Sequence, residues 1–421
     1  MTRPVIIFAG IVLSFIVSTG YGASLLVPTD YPTIQDALDA ALDGDEVVVE
    51  PGTYQEILTV PPRAITLRSQ SGNPANTILD GSLVPDNVAL VLFDGDPAGT
   101  RALRGFTLTN SKGPVRIDGF ANTGLHIIED CRFINMGPNG ALRAVGASTD
   151  ILNNEFIDNE GIFGGGAIVM TGAGLIQNNL FQGNDAIPSG TLTLTQGGAI
   201  YLLSQGGREG SFVEIRNNTF EENTCTDYGG AIQITQNFNC NVIRNKFKRN
   251  FAAICAGAIY VVANSRSVLL RGNTLIENES SQGAGFGIDI CQGTRIIANT
   301  IVGSIRGAGI RLEGSFGVIV QRNIVAFGTG EGIKWANSGA TQTCNNSFGN
   351  VLRNYAGGAV NFSFDPLFCN ALGENYTLRA NSPCLPALNS CNLLIGAFDT
   401  RCGAVATTDA TWGRAKSLYA E

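Results

Sequence analysis

The sequence predicts an all-β fold, a right-handed parallel β-helix of about ten or more short coils with a short N-terminal capping helix. Three observations support this prediction: asparagines return at regular intervals, a glycine phrase returns at a fixed phase between them, and the composition suits short strands. Charged residues make up 15% of the 421 residues, whereas glycine reaches 53. Such a chain favours strands and tight turns over long helices.

The asparagines belong to a repeated motif with an apolar residue three positions before Asn and often Phe two positions after it, as in Ile151 to Phe156. They return roughly every 25 residues apart from one longer coil, and this period predicts one solenoid turn per repeat. Stacked side-chain amides can hydrogen-bond to each other, and Asn tolerates the left-handed conformation of a sharp turn. The predicted ladder is Asn154, Asn179, Asn218, Asn245, Asn273, Asn299, Asn323 and Asn346.

A glycine phrase lies between consecutive asparagines and predicts a corner followed by a strand. The Ile after each corner, like the Phe after each Asn, is expected to point inward and to stack in a column. The corners are Gly165-Gly166-Ala167-Ile168, Gly197 to Ile200, Gly229 to Ile232, Ala256 to Ile259, Phe286-Gly287-Ile288, Ala308-Gly309-Ile310 and Glu331-Gly332-Ile333.

The N-terminal segment indicates export. Residues 1–22 contain Arg3, the apolar stretch Val5–Val17 and the small residues of Gly20-Tyr21-Gly22, which together predict a cleaved signal peptide. A membrane anchor is the alternative, but this stretch is shorter than the ~20 residues that span a bilayer. We therefore expect a secreted, periplasmic or cell-surface protein with no membrane span. The predicted segments are signal peptide 1–22, N-terminal cap 23–45, parallel β-helix 46–360, Cys-rich C-terminal coil and cap 361–403 and polar tail 404–421.

Cysteine and histidine usage limits the metal chemistry. Ten cysteines in an exported chain favour disulfides. We expect Cys369, Cys384, Cys391 and Cys402 to staple the last coil, in any of three pairings. The single histidine, His126, excludes the usual zinc sites and is expected to be structural, with catalysis as the alternative.

The charge pattern limits the partners. The net charge of −8 and the lack of a Lys/Arg run exclude nucleic acid as a partner. A neutral or cationic partner, or Ca²⁺, suits this charge, and we expect a monomer.

The chain resembles the pectin-lyase-like parallel β-helix superfamily in its bacterial exported members. The resemblance begins with the amphipathic segment Thr33–Leu42, the valine strand after Gly44-Asp45 and the turn Pro51-Gly52-Thr53-Tyr54. It ends with Phe364-Asp365-Pro366-Leu367-Phe368, Asn381-Ser382-Pro383 and Ile395-Gly396-Ala397-Phe398, and so covers residues 28–403. This resemblance implies the fold. It also implies that a glycan would lie along the outer face of the strand after the glycine corner, although the superfamily mixes enzymes with non-catalytic proteins.

Alternation along that strand predicts which side chains face outward, because the residue after each inward Ile lies on the opposite face. Tyrosines can stack on sugar rings, and amide or charged groups can bind hydroxyls and carboxylates. The alternative is an ordinary exposed strand face. The predicted outward column is Val169, Tyr201, Gln233, Tyr260, Asp289, Arg311 and Lys334, and two residues further on it is Thr171, Leu203, Thr235, Val262, Cys291, Glu313 and Ala336.

From these columns we assign two sets of candidate residues. The substrate-binding candidates are Tyr201, Gln233, Tyr260 and Glu313, and the catalytic candidates are Asp289, Arg311 and Lys334. In addition, Asp185, Asp227 and Glu279 lie in the connections that rim this face and could hold Ca²⁺. Solvated turn acids are the alternative for these three.

Two functions follow from the sequence. The first is an exported β-helix that presents a carbohydrate-binding or cell-surface interaction face to a polysaccharide or cell-surface glycan. The second is a polysaccharide-active enzyme, and a uronate lyase fits better than a glycoside hydrolase because paired carboxylates are not evident. The motifs of polygalacturonases and of classical pectate lyases do not occur in the chain.

Overall fold

The computed structural model describes residues 22–119, 124–162, 164–188, 194–203, 212–235, 239–263, 267–355 and 360–403. The predicted polar tail and all but the last residue of the predicted signal peptide lie outside these residues. The described chain is an all-β parallel solenoid of about 13 turns, as the asparagine period predicts. The coils add parallel strands to three faces of the solenoid. The strands of the first sheet precede the Asn turn, those of the second sheet follow it, and those of the third sheet follow the glycine corner.

The first sheet holds the strands that precede each Asn turn. They are Ser24–Val27, Glu46–Val49, Thr66–Ser69, Thr100–Arg104, Leu125–Glu129, Ser148–Leu152, Gly174–Gln177, Phe212–Arg216, Asn239–Ile243, Val268–Arg271, Arg295–Ile297, Phe316–Gln321 and the start of Gly339–Phe348.

The second sheet holds the strands that follow each Asn turn. They are Gly52–Tyr54, Thr77–Asp80, Thr107–Thr109, Arg132–Ile134, Glu155–Ile157, Leu180–Gln182, Thr219–Glu221, Lys246–Lys248, Thr274–Ile276, Thr300–Val302, Ile324–Ala326, the end of Gly339–Phe348 and Val360–Phe362.

The third sheet holds the strands that follow each corner. They are Leu58–Val60, Val91–Phe93, Val115–Asp118, Leu142–Val145, Ile168–Met170, Ile200–Leu203, Ile232–Thr235, Ile259–Val262, Glu279–Asp289, Ile305–Glu313, Glu331–Ala336 and Arg353–Tyr355. Four two-residue strands precede the corners and join the same sheet: Glu160–Gly161, Asp185–Ala186, Thr224–Cys225 and Phe251–Ala252.

The interior of the second sheet confirms the predicted inward stack. Phe156, Phe181, Phe220 and Phe247 are fully buried, and Phe133 extends the stack by one coil. Neighbouring ring centroids lie between 4.6 and 5.0 Å apart with nearly parallel planes. Because each ring covers the next, the stack removes apolar surface from water along the solenoid axis.

The predicted asparagine ladder forms with one correction at its end. The Oδ1 atom of Asn218 accepts the backbone N–H of Asn179 at 2.8 Å and its side-chain amide at 2.9 Å. After Asn323 the ladder continues through Asn345 rather than Asn346, because Ile324 pairs with Asn346 and the register therefore sets Asn323 beside Asn345.

The structure also corrects the conformational role given to these asparagines. The residue before the ladder position is left-handed, with φ of 56° at Asn217 and 55° at Arg244. The buried ladder residue is thus free to use its amide for the coil-to-coil bonds.

A second asparagine ladder was missed from the sequence. It lies five residues after the first, and its members are Asn159, Asn184, Asn223, Asn250 and Asn278. Its geometry is the same: Asn184 donates to Asn223 Oδ1 at 2.8 Å and to the carbonyl of Phe156 at 2.9 Å. The recurrent spacing Asn-x-x-x-x-Asn was the available signal.

The early coils have a polar group inside the solenoid. Arg101 and His126 are both fully buried and adjacent in register, with Arg101 Nη2 2.8 Å from His126 Nε2. Since guanidinium has only donors, His126 Nε2 accepts and Nδ1 donates to the carbonyl of Ser148 at 3.3 Å. Burial and the nearby Arg101 charge lower the pKa of His126 to about 4. The histidine therefore has the expected structural role.

Helix is confined to short pieces at the ends of the described chain. The α-helix Ile34–Ala40 has Thr33 as N-cap, and 3₁₀ turns occur at Pro74–Asn76 and Pro386–Leu388. Ser24–Val27, which the sequence assigns to the cap, already pairs in parallel with Glu46–Val49. Among the described residues, no helix has the length and apolar character needed to cross a membrane.

The C-terminal segment folds back along the solenoid instead of adding coils. Its strands Phe368–Asn370, Asn375–Arg379 and Thr400–Cys402 form a separate sheet. Buried Tyr376, Leu378 and Ile395 pack on the outer side of the second sheet, against Ile276 and Val302. This packing explains why these second-sheet strands are apolar on both faces.

The disulfides differ from the predicted stapling. Cys369 pairs with Cys402, but Cys391 pairs with Cys344 from the last long strand, and Cys384 is a buried free thiol. The prediction that the four terminal cysteines pair with each other is therefore wrong. The reason is that the back-folded segment brings Cys391 beside Cys344, a contact that sequence proximity does not indicate.

Candidate functional site

The outer face of the third sheet carries the predicted column in the observed register, with one error. Tyr201 pairs with Gln233, Gln233 with Tyr260, and Arg311 with Lys334. The residue between Tyr260 and Arg311 is Gly287 rather than Asp289. Asp289 lies two residues further along the strand, in the second column, where it pairs with Val262 and Glu313. The predicted second-column residue Cys291 is instead buried inside.

The error comes from the corner at Phe286. In this coil Phe286 takes the inward position that Ile259 and Ile310 hold in the neighbouring coils. The prediction had given that position to Ile288, so the predicted register of this coil was wrong by two residues. Gly287 is needed at the column position, because a Cβ there would lie 2.6 Å from Cys255 Sγ. Because Gly287 has no side chain, this position is open. Beside it, Arg311 Nη1 lies 3.8 Å from Cys255 Sγ.

Asp289, Arg311 and Tyr260 form a half-enclosed polar cluster on this face. Arg311 Nη1 lies 2.5 Å from Asp289 Oδ1, and both side chains are only 13% and 15% exposed. The hydroxyl of Tyr260 donates to Asp289 Oδ2 at 2.9 Å. The structure thus brings together two of the three predicted catalytic residues and one predicted binding residue.

The electrostatics of the cluster follow from burial and the ion pair. Burial alone would lower the pKa of Arg311, but the hydrogen bond and charge of Asp289 outweigh it and raise that pKa. Burial, followed by the negative charge of Asp289, raises the pKa of the Tyr260 hydroxyl well above its usual range. The Tyr260 phenol therefore stays protonated, and the Arg311 guanidinium stays charged, at physiological pH.

Glu313 and Lys334 lie at the edge of this cluster. Glu313 Oε2 is 3.4 Å from Arg311 Nη2. Lys334 follows Arg311 by one coil, is exposed, and forms no ion pair with any described residue. Of the predicted catalytic residues, Lys334 is therefore the one outside the hydrogen-bonded cluster.

Tyr228 is a site residue that the sequence analysis missed. Its ring stacks on Tyr260 with centroids 4.9 Å apart, so Tyr260 is only 6% exposed and Tyr228 is the ring that faces outward. Residues just before the corners form a column of their own, since Gln196 pairs with Tyr228 and Tyr228 with Cys255. The position before each corner glycine was the signal that could have identified Tyr228.

Tyr201 and Gln233 continue the surface in the preceding coils. Tyr201 is half-buried, and burial raises the pKa of its hydroxyl against the opposing effect of a hydrogen bond with Thr235. Gln233 is 4% exposed. Its Oε1 atom, like that of Gln196, has no hydrogen-bond partner among the described residues. Buried acceptors of this kind are uncommon and favour a partner that supplies a donor.

The three predicted calcium ligands do not come together. Asp185 and Glu279 share one strand column but are three coils apart, which corresponds to about 14 Å. Asp227 accepts the backbone N–H of Thr195 at 2.7 Å, and Glu279 pairs with Arg306. A single Ca²⁺ needs its oxygens at about 2.3–2.6 Å, so the predicted site is wrong because the solenoid rise separates its members.

Two family models match parts of the chain. Residues 98–275 match the family described as right handed beta helix region, and residues 203–366 match the family described as periplasmic copper-binding protein (NosD). The chain is also 29% identical over 131 residues to the probable outer membrane protein pmp20 of Chlamydia pneumoniae. That match covers 31% of this chain and 7% of the relative's length.

An alignment with a solved structure supports the fold. The A-module of the mannuronan C-5 epimerase AlgE4 of Azotobacter vinelandii aligns with a TM-score of 0.52 at 12% identity, over 79% of this chain and 95% of that one.

Taken with the observed coils, these matches define the chain as a right-handed parallel β-helix protein. It is secreted, periplasmic or at the cell surface.

The residues present do not fit copper. Proteins bind copper mainly through His, Cys and Met side chains, but His126 is engaged by Arg101 and the six cysteines outside the two disulfides are buried. Across the described ranges, no group of three or more His, Cys, Asp or Glu residues could hold a metal ion.

Proposed function

We propose that the outer face of the third sheet, from Tyr201 to Lys334, is a saccharide-binding surface of an extracytoplasmic β-helix protein that does not turn its ligand over. The observation that carries this proposal is the outward ring of Tyr228, which is held by its stack on Tyr260. Tyr201 and Gln233 precede Tyr260 in the outer column of the same sheet. Rigid aromatic faces beside an amide suit a sugar ring, which has both an apolar face and hydroxyls.

The polar cluster supports binding rather than elimination. A lyase needs a base free to remove a proton near ambient pH. Asp289 is instead engaged by both Arg311 and Tyr260, and the raised pKa of Tyr260 keeps that phenol from acting as a base. The pair therefore fixes the edge of the surface. Glu313 is engaged by Arg311 and Asn337, whereas the exposed Lys334 is available to a ligand.

The epimerase that shares this fold is named for mannuronan, a uronate chain, so uronate chains are the first class to test beside neutral glycans. We would measure binding of purified protein to a panel of neutral and uronate oligosaccharides by calorimetry. Tyr228→Ala should weaken binding about tenfold, since one stacked ring contributes about 1–2 kcal/mol. Phe316→Ala is the matched control, because Phe316 is an exposed ring, 60% accessible, on the first sheet.

The same samples should be followed for absorbance of an unsaturated uronate product. No turnover, together with a loss confined to Tyr228→Ala, supports the proposal. Turnover that disappears in Arg311→Gln would instead establish the lyase alternative. Absence of any glycan ligand, or equal losses in the two aromatic variants, would contradict a saccharide surface at this place.

A further inference from the structure

A second surface of the solenoid carries a concentration of arginines. Arg216, Arg244, Arg271 and Arg322 line one pocket of about 500 Å³, here called the arginine pocket. Its floor is made by the Asn turns of successive coils, and its wall by Leu394, Gly396 and Ala397 of the back-folded C-terminal segment. The pocket lies at the junction of the first and second sheets, whereas the proposed saccharide surface lies on the third sheet.

The turn geometry sets the spacing of these arginines. Arg216 and Arg271 end first-sheet strands two coils apart, since both pair with Ile243, and Arg244 and Arg322 occupy left-handed turn positions. A Cβ on Gly272 would lie 3.5 Å from Arg244 Cγ, so the Arg244 stem extends over the next coil. The C-terminal wall is fixed to the same turns, because Gly396 N–H donates to the Arg322 carbonyl at 2.7 Å.

Most of the positive charge in the pocket is uncompensated by described residues. Arg216 pairs with Glu214 at 3.0 Å. Within the described ranges, Arg244, Arg271 and Arg322 have no carboxylate in ion-pair distance. This concentration stands out in a chain with 35 acidic and 27 basic residues. Clustered guanidiniums repel each other unless an anion joins them, and their planar forks bind carboxylates and sulfates in a bidentate manner.

We propose that the arginine pocket binds the carboxylate or sulfate groups of a linear acidic polysaccharide. The arginines span four coils along the solenoid axis, which corresponds to about 19 Å, so a chain of repeated anions could reach each in turn. The extracytoplasmic location favours a polysaccharide over a nucleic acid as the polyanion. This site is independent of the saccharide surface proposed above.

The test compares three oligosaccharides of equal length: a polygalacturonate, a dextran sulfate and a neutral dextran. Binding to the wild-type protein should occur with one or both acidic chains, weaken as NaCl is raised, and be absent with neutral dextran. The double variant Arg244→Gln/Arg271→Gln should bind the acidic chain at least tenfold more weakly. Lys112→Gln/Arg401→Gln removes the same charge from exposed positions outside the pocket and should stay within twofold of wild type.

Thermal melting checks that both double variants keep the fold, and the single variant Arg271→Gln replaces the double variant if the latter melts early. The proposal is overturned if neither acidic chain binds, or if the pocket variant and the control lose affinity equally. It is also overturned if duplex DNA of the same total charge binds as tightly and with the same loss in the pocket variant, because the pocket would then select charge alone.

Discussion

Inside the second sheet the same ring returns in coil after coil, whereas on the outer face of the third sheet the residue changes at almost every coil. Phe156, Phe181, Phe220 and Phe247 stack at nearly constant spacing. The outer column passes instead from Tyr201 through Gln233, Tyr260 and Gly287 to Arg311. Identical neighbours satisfy each other across coils, so repetition belongs to architecture. When the residue differs from coil to coil, the surface differs along the solenoid axis. A ligand can then be recognised in one position and one direction.

The polar parts of the two regions differ in the same way. In the interior, Asn218 is held by ladder neighbours on both sides, and its amide has no bonding capacity left for a ligand. On the outer face, the Oε1 atom of Gln233 has no partner among the described residues. A side-chain amide is structural where the neighbouring coils carry the same amide and bond to it. Where they do not, the amide is available to a ligand.

The largest expected effect comes from breaking the interior stack. Phe220→Ala should lower the free energy of unfolding by about 3–5 kcal/mol, because Phe220 is fully buried between two rings and leaves a cavity. Glu222→Ala is the control, since Glu222 lies on an exposed turn two residues away and should change stability by less than about 1 kcal/mol. Small and equal losses in denaturant melts would contradict the inward assignment.

A smaller effect is expected on the outer face, at the Asp289–Arg311 pair. Arg311→Gln should cost about 2–3 kcal/mol, because it leaves Asp289 largely buried without its cation. The double variant Asp289→Asn/Arg311→Gln should recover at least half of this loss in a thermal-melt cycle.

The matched pair for this test is Arg116–Asp118, which occupies the same face but is 49% exposed at the arginine. Arg116→Gln should cost under about 1 kcal/mol. Equal costs at Arg116 and Arg311 would mean that enclosure by Tyr228 and Tyr260 does not strengthen the Arg311 pair.

The third effect, smaller than those at Phe220 and Arg311, is a pH dependence from the polar interior of the early coils. The pKa of His126 falls to about 4 in the folded protein, below the ordinary value of about 6.5. The unfolded chain therefore binds this proton first, and stability should decrease as the pH falls from 7 to 5, by about 2 kcal/mol. The measurement is the free energy of unfolding at both pH values for wild type and His126→Gln. An identical pH slope in the two proteins would show that His126 is not responsible.

The positions of the candidate site residues could be predicted from the sequence only in coils that repeat the glycine corner without change. The pairing of Tyr201, Gln233 and Tyr260 follows from the Gly-x-Ile phrase, because all three coils repeat it without change. Asp289 was misplaced by two positions because Phe286, rather than an Ile, takes the inward position in its coil. A search for the Gly-Ile pattern cannot detect this substitution. The role of Tyr228 was missed because its contact with Tyr260 crosses from one coil to the next.

The sequence by itself determined the fold class, the coil period, the inward Phe column and the first asparagine ladder. These features depend on residues that repeat, and a repeat can be identified from spacing alone. Only the tertiary structure decided where the C-terminal segment lies, which cysteines pair, whether the three rim acids meet, and that four arginines share one pocket. Each of these depends on the distance between coils or on a chain that folds back across them, and a one-dimensional period contains neither quantity.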